Sequence, residues 1–395
     1  MSDLYKFITF GCWGDLNNEN LPVYTVLTEV SKYCKNNNNN CKFIIITGDN
    51  YYSMKKEKGN KILYVDRLEK AFDELPTNID IYLLLGNHDL ANDIVSIETE
   101  QPVDPDNAII LTKKPEDCII LKTEIDIIKR TPNIKFPNKL TMHYMKNKTL
   151  FLMIDTTIYD IYNDLSELNE QQLADKIHCY RELDINLTNM KNILDKQLDE
   201  ILYIINNIKV EIKNVVISGH HPLIETKIKN KKNKETTETT ETTETPVRIK
   251  PLMKSYELLN TIYNIYRDTV KYYYLCADYH CYQKGVIHIN MAPTVVMTIQ
   301  QYVVGTGGAE LDAAVPKNNY EVIDGISYTV EDAMSINGFL VCKSNKDDIL
   351  SFKFHKVSNP KPKGGKNKSK TRKIHKKKRK SIKKNRNNTC KPNRK

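Results

Sequence analysis

The chain has 395 residues, of which 40% are hydrophobic, so it can bury one large core or two modest ones. Its net charge of +10 comes from one end, because residues 360–395 carry 18 Lys and Arg without any Asp or Glu, which leaves residues 1–359 with a charge of −8. The longest apolar runs are far shorter than the roughly 20 residues that span a bilayer, which excludes a transmembrane helix and predicts a soluble protein.

Strand-like and helix-like segments alternate along the chain up to residue 276. Apolar runs end at Gly or small polar residues, and segments with helical periodicity follow them. The predicted order is strand 5–10, helix 21–35, strand 42–47, helix 61–73 and strand 80–85, then strand 149–155, helix 189–207, strand 213–218, helix 253–268 and strand 271–276. This alternation is typical of βαβ units that form a buried, largely parallel sheet.

After residue 285 the pattern changes to strands alone, in the runs VIHI, TVVMTIQQYVV, GFLVCK and ILSFKFHKV, which predicts an antiparallel region. We therefore predict one α/β domain over residues 1–358, built from two facing sheets. Two segments interrupt it. Residues 91–135 form an insertion without a clear pattern, and residues 226–250 contain the repeat ETTETTETTET, which fits neither a helix nor a strand and predicts a mobile loop.

The cysteines and the amino terminus indicate the compartment. The nine cysteines are scattered without CxxC spacing or a dense framework, so we expect reduced thiols. The segment MSDLYKFITF has an early acidic residue, a short apolar stretch and no small-residue cleavage site. We therefore expect no signal peptide, an intracellular protein and a monomer.

Residues 359–395 are predicted to form a disordered basic tail, since like charges repel each other and almost nothing in this segment is apolar. Such an arm can bind nucleic acid or another anionic surface, which predicts a nuclear or nucleic-acid-associated location. The alternative is a tail that only increases solubility.

Four apolar runs end in polar residues that can bind a metal. FIIITGDNYY supplies Asp49, Asn50 and Tyr52; IYLLLGNHDL supplies Asn87, His88 and Asp89; VVISGHHP supplies His220 and His221; and YYYLCADYHCY supplies Asp278 and His280. In open α/β sheets ligands bind beyond the carboxyl ends of the strands, so we expect the four clusters to meet at one edge. Mixed oxygen and nitrogen ligands with one carboxylate available to bridge suit a pair of metal ions, which can activate water and orient a phosphate.

The order of these motifs resembles that of the calcineurin-like metallophosphoesterases, and within them the purple acid phosphatase group. The segments GCWG (11–14), GDNYY (48–52), GNHD (86–89), GHHP (219–222) and the one ending in His280 are similar to GDxG, GDxxY, GNHD, GHxP and GHxH. The residue Tyr52, three positions after Asp49, separates this group from the serine/threonine protein phosphatases, which have GDxVDRG and GNHE. Apart from the insertions and the tail, the resemblance covers residues 5 to about 357.

The resemblance implies a sandwich of two mixed β-sheets flanked by helices. It also implies a phosphomonoesterase with two divalent or trivalent metal ions (Fe, Zn or Mn), in which a metal-bound hydroxide attacks a phosphorylated substrate. In that arrangement Asp49 would bridge the metals, Tyr52 and His280 would bind the first, and Asn87 and His220 would bind the second.

Substrate contacts are implied by the same resemblance. His88 would be a catalytic donor to the phosphate or the leaving group, and Asp89 would hold it. Asn87 and His221 would contact the substrate, unless His221 merely replaces the aromatic residue often found there.

Two positions depart from the family pattern, because Cys12 stands where the first motif has a metal-binding Asp and Asp278 stands where GHxH has its first His. A thiolate binds zinc or iron well, and a carboxylate can replace an imidazole on a hard ion. The centre then has four negative ligands where the family has three, which weakens its Lewis acidity and raises the pKa of bound water. We predict an altered metal preference and a slower or more alkaline enzyme.

Both departures leave alternatives open. Cys12 is equally compatible with a packed, non-ligating thiol, which leaves Asp15 or water to complete the first metal site. Asp278 is also compatible with a solvated turn residue. The alternative functions are a catalytically impaired binding protein with this fold, and a phosphodiesterase or nuclease whose basic tail provides affinity for nucleic acid.

Overall fold

The computed structural model describes residues 4–16, 22–36, 41–52, 54–55, 61–91, 95–98, 118–136, 140–163, 173–174, 177–183, 190–228, 247–323 and 325–358. The chain forms two separate units, residues 1–359 and residues 360–395. The predicted disordered tail, 359–395, lies outside the described residues, as do residues 99–117 of the predicted insertion and residues 229–246 of the predicted loop.

The strands and helices are numbered here in chain order. The strands are β1 (Tyr5–Phe10), β2 (Cys41–Ile46), β3 (Met54–Lys55), β4 (Lys61–Tyr64), β5 (Asp80–Leu83), β6 (Val95–Glu98), β7 (Ile134–Lys135), β8 (Thr141–Lys146), β9 (Thr149–Ile154), β10 (Asn214–Ser218), β11 (Ile224–Ile228), β12 (Val247–Pro251), β13 (Lys271–Cys276), β14 (Tyr282–Ala292), β15 (Val295–Val304), β16 (Asn319–Ile323), β17 (Ile326–Met334), β18 (Gly338–Ser344) and β19 (Leu350–Lys356). The α-helices are α1 (Pro22–Lys35), α2 (Val65–Asp73), α3 (Ile119–Lys129), α4 (Thr157–Asn163), α5 (Met190–Asn207) and α6 (Ser255–Tyr266).

Two large mixed sheets contain most of the strands. The first has the spatial order β19-β18-β1-β2-β5-β7, and the second has the order β16-β17-β14-β15-β13-β10-β9-β8. Strands β1, β2, β5 and β7 are parallel to one another, as are β9, β10, β13 and β15. The pairs of β14 with β15 and with β17 are antiparallel, as expected for the last third of the chain.

The sheets face each other across an apolar core because side chains alternate between the two faces of each strand. In β10, Val216 belongs to the core between the sheets, whereas Val215 and Ile217 belong to a second core on the outer face. Phe7 of β1 and Phe151 of β9 meet across the first core, with ring centroids 5.2 Å apart. Helices α1 and α2 contribute to the first core and α4, α5 and α6 to the second. The predicted α/β sandwich flanked by helices is confirmed.

Helix α1 shows why these segments are helical. Its buried residues include Val23, Val26 and Val30, whose spacing of three and four places them on one face. Pro22 at the first helical position needs no N–H partner there. Among the described residues, no helix is both long and apolar enough to cross a membrane.

Two predicted boundaries are wrong. The helix predicted over 61–73 begins at Val65, because Lys61–Tyr64 forms β4 and pairs with β3 and β6. The ends of the predicted loop 226–250 belong to strands, because β11 and β12 pair as an antiparallel hairpin. Sequence alone did not reveal these strands because their hydrogen-bonding partners are separated from them along the chain.

The expectation of reduced thiols is wrong for four cysteines. Disulfides join Cys34 to Cys41 and Cys118 to Cys179. The second pair is separated by 61 residues, so only the fold brings its members together. In the described part of the chain, the free and buried cysteines are Cys12, Cys276, Cys281 and Cys342.

Candidate metal centre

The polar motifs follow the carboxyl ends of strands in both sheets. Cys12 follows β1, Asp49 follows β2, Asn87 follows β5, His220 follows β10 and Asp278 follows β13. Main-chain hydrogen bonds join these loops: the N–H of Cys12 donates to the carbonyl of Gly48 at 3.0 Å, and that of Ala277 donates to the carbonyl of His220 at 2.9 Å. The structure therefore brings the motifs together at one end of the sandwich.

Three loop residues have a left-handed backbone: Cys12 (φ 53°), Asp49 (φ 55°) and Asp278 (φ 57°). Asp tolerates this conformation because its short polar side chain can hydrogen-bond locally, whereas at Cys12 it costs roughly 1–2 kcal/mol. Strained residues of this kind concentrate at functional sites. The strain favours a function for Cys12 that depends on where its thiol points.

The first group of candidate ligand atoms, here called cluster 1, belongs to Cys12, Asp49, Tyr52 and His280. Ligand atoms of Cys12, Asp49 and His280 all lie within 4.8 Å of one another. Tyr52 Oη donates a hydrogen bond to Asp49 Oδ2 at 2.8 Å and lies 3.0 Å from His280 Nε2. Sulfur, oxygen and nitrogen donors in this combination fit zinc or iron.

The second group, here called cluster 2, belongs to Asn87, His220, His221 and Asp278. Ligand atoms of the two histidines and Asp278 lie within 4.8 Å of one another. Asn87 Oδ1 lies 3.1 Å from His220 Nε2, and Asp278 Oδ1 lies 3.8 Å from the same nitrogen. His221, expected only to contact substrate, thus lies where it could also bind a metal.

The carboxylate of Asp49 lies between the two clusters. Its Oδ2 accepts from Tyr52 in cluster 1, and its Oδ1 lies 3.3 Å from His220 Nε2 in cluster 2. A Cβ atom at Gly86 would lie 2.2 Å from Asp49 Oδ1, so only glycine lets the backbone approach this closely. The two oxygens of one carboxylate therefore face two separate donor sets.

Main-chain carbonyls orient His220 and His280, the two histidines whose Nε2 atoms face the clusters. His220 Nδ1 is 2.7 Å from the carbonyl oxygen of Thr47, and His280 Nδ1 is 2.9 Å from that of Glu310. A carbonyl only accepts, so Nδ1 carries the proton in both rings and Nε2 faces the clusters. Buried ligand histidines are commonly held in this way.

Thr156 and Asp312 support the site, although neither was predicted as a site residue. Thr156 Oγ1 accepts hydrogen bonds from the main-chain N–H groups of His220 and His221, both at 2.9 Å. Asp312 Oδ2 accepts from the N–H of His280 at 2.9 Å. The position of Thr156 just after β9, at the same end of the sheet, is the signal that could have found it.

A family model described as calcineurin-like phosphoesterase matches residues 5–246, which is more than half of the chain. The chain belongs to the calcineurin-like phosphoesterase family. The predicted family is confirmed, and membership supports a metal-dependent phosphoesterase, that is, a hydrolase.

Two solved structures resemble this chain. One is purple acid phosphatase PPD1 from yellow lupin (Lupinus luteus) seeds, with 13% identity, a TM-score of 0.48, and coverage of 91% of this chain and 52% of that chain. The other is phosphopantetheinyl hydrolase (PptH) from Mycobacterium tuberculosis, with 9% identity, a TM-score of 0.35, and coverage of 77% and 91%. The chain spans about half the length of the lupin structure. No curated protein matches the chain.

Charges at the candidate metal centre favour a bound cation. Burial alone would raise the pKa of Asp49, but the imidazoles of His220 and His88 hold it below its ordinary value. Burial alone would lower the pKa of His220, but Asp49 and Asp278 raise it to about 9. Burial and the charge of Asp49 raise the pKa of the Cys12 thiol. The carboxylates thus stabilise positive charge at this point, where a metal would compete with the proton of His220.

Adjacent residues His88 and Asp89 have different surroundings. The imidazole of His88 is exposed and lies against the ring of Tyr52, with centroids 4.5 Å apart. Asp89 is fully buried, and its carboxylate accepts from the N–H groups of Asn50 and Gly86, each at 2.8 Å. In the described part of the chain, the hydrogen bonds of Asp89 therefore hold the loops that carry Asn50 and Gly86, and they do not hold the His88 ring.

Glu124 is a buried carboxyl group next to this loop network. It lies on the apolar face of α3 with Ile120 and Ile127, at helical spacing. Burial raises the pKa of Glu124 well above its ordinary value, and the neighbouring Asp89 raises it further. An acidic residue within an apolar stripe is the sequence signal that could have found it.

We expect Glu124→Gln to stabilise the protein at neutral pH but not near pH 4. Above pH 4.5, the ordinary pKa of this group, unfolded Glu124 loses a proton that folded Glu124 keeps. Stability therefore falls as pH rises, by up to about 1.4 kcal/mol per pH unit, until the folded group titrates. Gln removes this dependence. Thermal unfolding of the wild type and of Glu124→Gln from pH 4 to pH 8 measures the difference in their stability. Glu321→Gln, at an exposed position of β16, is the control. Parallel curves of stability against pH for Glu124→Gln and the wild type would contradict the expectation.

Proposed function

We propose that the protein is a phosphomonoesterase with a dinuclear metal centre of Fe, Zn or Mn. What supports the proposal is the position of Asp49, whose Oδ2 faces cluster 1 and whose Oδ1 faces cluster 2. A carboxylate with one oxygen toward each donor set can bridge two neighbouring cations. The family supports metal-dependent hydrolysis, while the number of ions and the substrate type are part of the proposal.

Each donor set would hold one ion. Cys12, Tyr52 and His280 would hold the first ion in cluster 1, and Asn87, His220 and Asp278 the second in cluster 2, with Asp49 between them. When bound, the metals supply Lewis-acid chemistry that activates water and neutralises phosphate charge.

The surrounding residues would orient the phosphate. Asn87 and His88 are exposed at the end of the GNHD loop, so their side chains can donate to phosphate oxygens. His88 in its protonated form can also give a proton to the leaving oxygen. Asp89 keeps this loop in place through the N–H groups of Asn50 and Gly86.

Hydrolysis of p-nitrophenyl phosphate by the full chain, reconstituted with Fe, Zn or Mn, tests the proposal. We expect turnover that depends on metal, is abolished by a chelator, and exceeds that of bis(p-nitrophenyl) phosphate. Faster cleavage of the diester would indicate a phosphodiesterase instead. Metal-loaded protein without turnover of either compound would indicate a binding protein with this fold.

Restoring the ligands of the family pattern is expected to make the enzyme faster at low pH. The double variant Cys12→Asp, Asp278→His reduces the negative ligands from four to three, which strengthens the Lewis acid and lowers the pKa of water at the centre. We expect the pH optimum to fall by about one unit and the metal preference to change. Rate profiles with each metal measure this, with exposed Asp268→His as control. An unchanged optimum and metal preference would contradict the assignment of these two ligands.

A further inference from the structure

A cavity of about 220 Å³ opens beside cluster 2. It is lined by residues of cluster 2 and by three basic residues of the β11–β12 hairpin. These are Asn87, His221 and Asp278, and Lys227, Arg248 and Lys250. The cavity is smaller than the roughly 300–1,000 Å³ of pockets for drug-sized ligands, which favours a small substrate.

The hairpin is built with one charged face and one apolar face. Lys227 lies directly opposite Arg248, and Glu225 lies directly opposite Lys250. In an antiparallel pair, opposite residues share a face, as do residues two apart along one strand. These four side chains therefore lie on one face, while Ile224 on the other face is buried in the second core.

Acids hold two of the three basic side chains in place. Lys227 Nζ lies 2.8 Å from Glu225 Oε1, and Lys250 Nζ lies 2.8 Å from Asp160 Oδ1. Arg248 is exposed and forms no ion pair with any residue that the structure describes. Its guanidinium is therefore the available cation of this cavity.

The register of the hairpin gives a second reason to expect an anion here. Like charges directly opposite each other destabilise a sheet, and Lys227 and Arg248 are such a pair. Glu225 and Asp278 lie 2.8 and 3.8 Å from Lys227 Nζ and offset the charge of that lysine. An anionic group bound beside Arg248 would offset the charge of the guanidinium. The planar guanidinium of arginine also forms paired hydrogen bonds with phosphate or carboxylate.

We propose that Arg248, on the charged face of the β11–β12 hairpin, binds a second anionic group of the substrate. The inference rests on the proposed function and names its substrate class. The substrate is a small phosphomonoester that carries another phosphate or a carboxylate. The scissile phosphate occupies the candidate metal centre, while the second group reaches Arg248 across the cavity.

Binding of non-hydrolysable ligands to the metal-loaded full chain tests this inference without turnover. The ligands are alkane α,ω-bisphosphonates with two to five carbons, ω-phosphonoalkanoates of the same lengths, and the matching alkylphosphonates with one charged group. We expect at least one doubly anionic series to bind about tenfold tighter than the alkylphosphonates, as a charge-assisted hydrogen bond provides. Which series gains more identifies the second group as phosphate or carboxylate.

The variant Arg248→Gln is expected to remove this gain and to change alkylphosphonate affinity less than about twofold. Exposed Arg267→Gln, outside the cavity, is the matched control and is expected to keep the gain. Equal affinity for singly and doubly anionic ligands, no binding of either, or a gain that survives Arg248→Gln would overturn the inference. Loss of the gain in a chain that does not hydrolyse p-nitrophenyl phosphate would support the anion site and contradict only the proposed function.

Discussion

The Asp49→Asn variant is expected to lose about 10³-fold or more in kcat/KM for p-nitrophenyl phosphate and to bind at most one metal ion. Asn keeps the shape of the side chain but removes the charge that faces both clusters. Metal ions contribute several kcal/mol of transition-state stabilisation, and about 4 kcal/mol corresponds to 10³ in rate. Steady-state kinetics and elemental analysis of the metal-loaded variant measure both effects.

A second Asp→Asn variant shows whether the loss of any carboxylate has the effect expected for Asp49→Asn. Exposed Asp347→Asn removes a carboxylate far from the motifs and is expected to match the wild type. An Asp49→Asn variant that folds, retains two ions and hydrolyses within about tenfold of the wild-type rate would show that Asp49 does not hold the metals.

The Cys12→Ser variant is expected to bind metal at the first site more than about 100-fold more weakly, so that it retains one metal ion per chain instead of two. A bound metal can displace the proton of the Cys12 thiol, whereas the hydroxyl of serine gives up its proton far less readily and is the weaker ligand. Mutation of a residue that only orients a metal ligand lowers metal affinity by about 10–100-fold. Loss of the ligand itself should lower the metal affinity at least as much. Tyr52 bound to ferric iron is expected to give a visible charge-transfer band, and this band should weaken in Cys12→Ser, which absorption spectroscopy detects.

Cys342→Ser is the matched control for Cys12→Ser. Cys342 is also free and fully buried, but it lies in β18 and belongs to the core between the sheets. A packed thiol at Cys12 would make the two variants alike: each would be less stable and neither would lose metal. That result would leave Asp15 or water as the remaining ligand at the first site.

The strands that lead to the site could be predicted because their signals are local. β1, β2 and β13 are short apolar runs that end at the residues where the motifs begin, and the parallel order follows from the helices between them. Asp49 and His220 could be proposed as ligands from sequence because a polar residue after a buried strand has few structural reasons to be there.

The features that were missed depend on contacts between distant parts of the chain. The disulfide between Cys118 and Cys179 and the hairpin of β11 with β12 have no local signal, because each member looks ordinary without its partner. Glu124 had a local signal, an acidic residue within the apolar stripe of α3, but its proximity to Asp89 depends on the fold. Short strands such as β4 are recognisable only once β3 and β6 are beside them.

The most direct test of the account is an anomalous-scattering map from a crystal of the full chain loaded with zinc or iron. We expect two metal peaks, about 3.5–4 Å apart, one on each side of the Asp49 carboxylate. Cys12, Tyr52 and His280 should surround one peak, and Asn87, His220 and Asp278 the other. A single peak, or two peaks that do not share Asp49, would contradict the dinuclear centre.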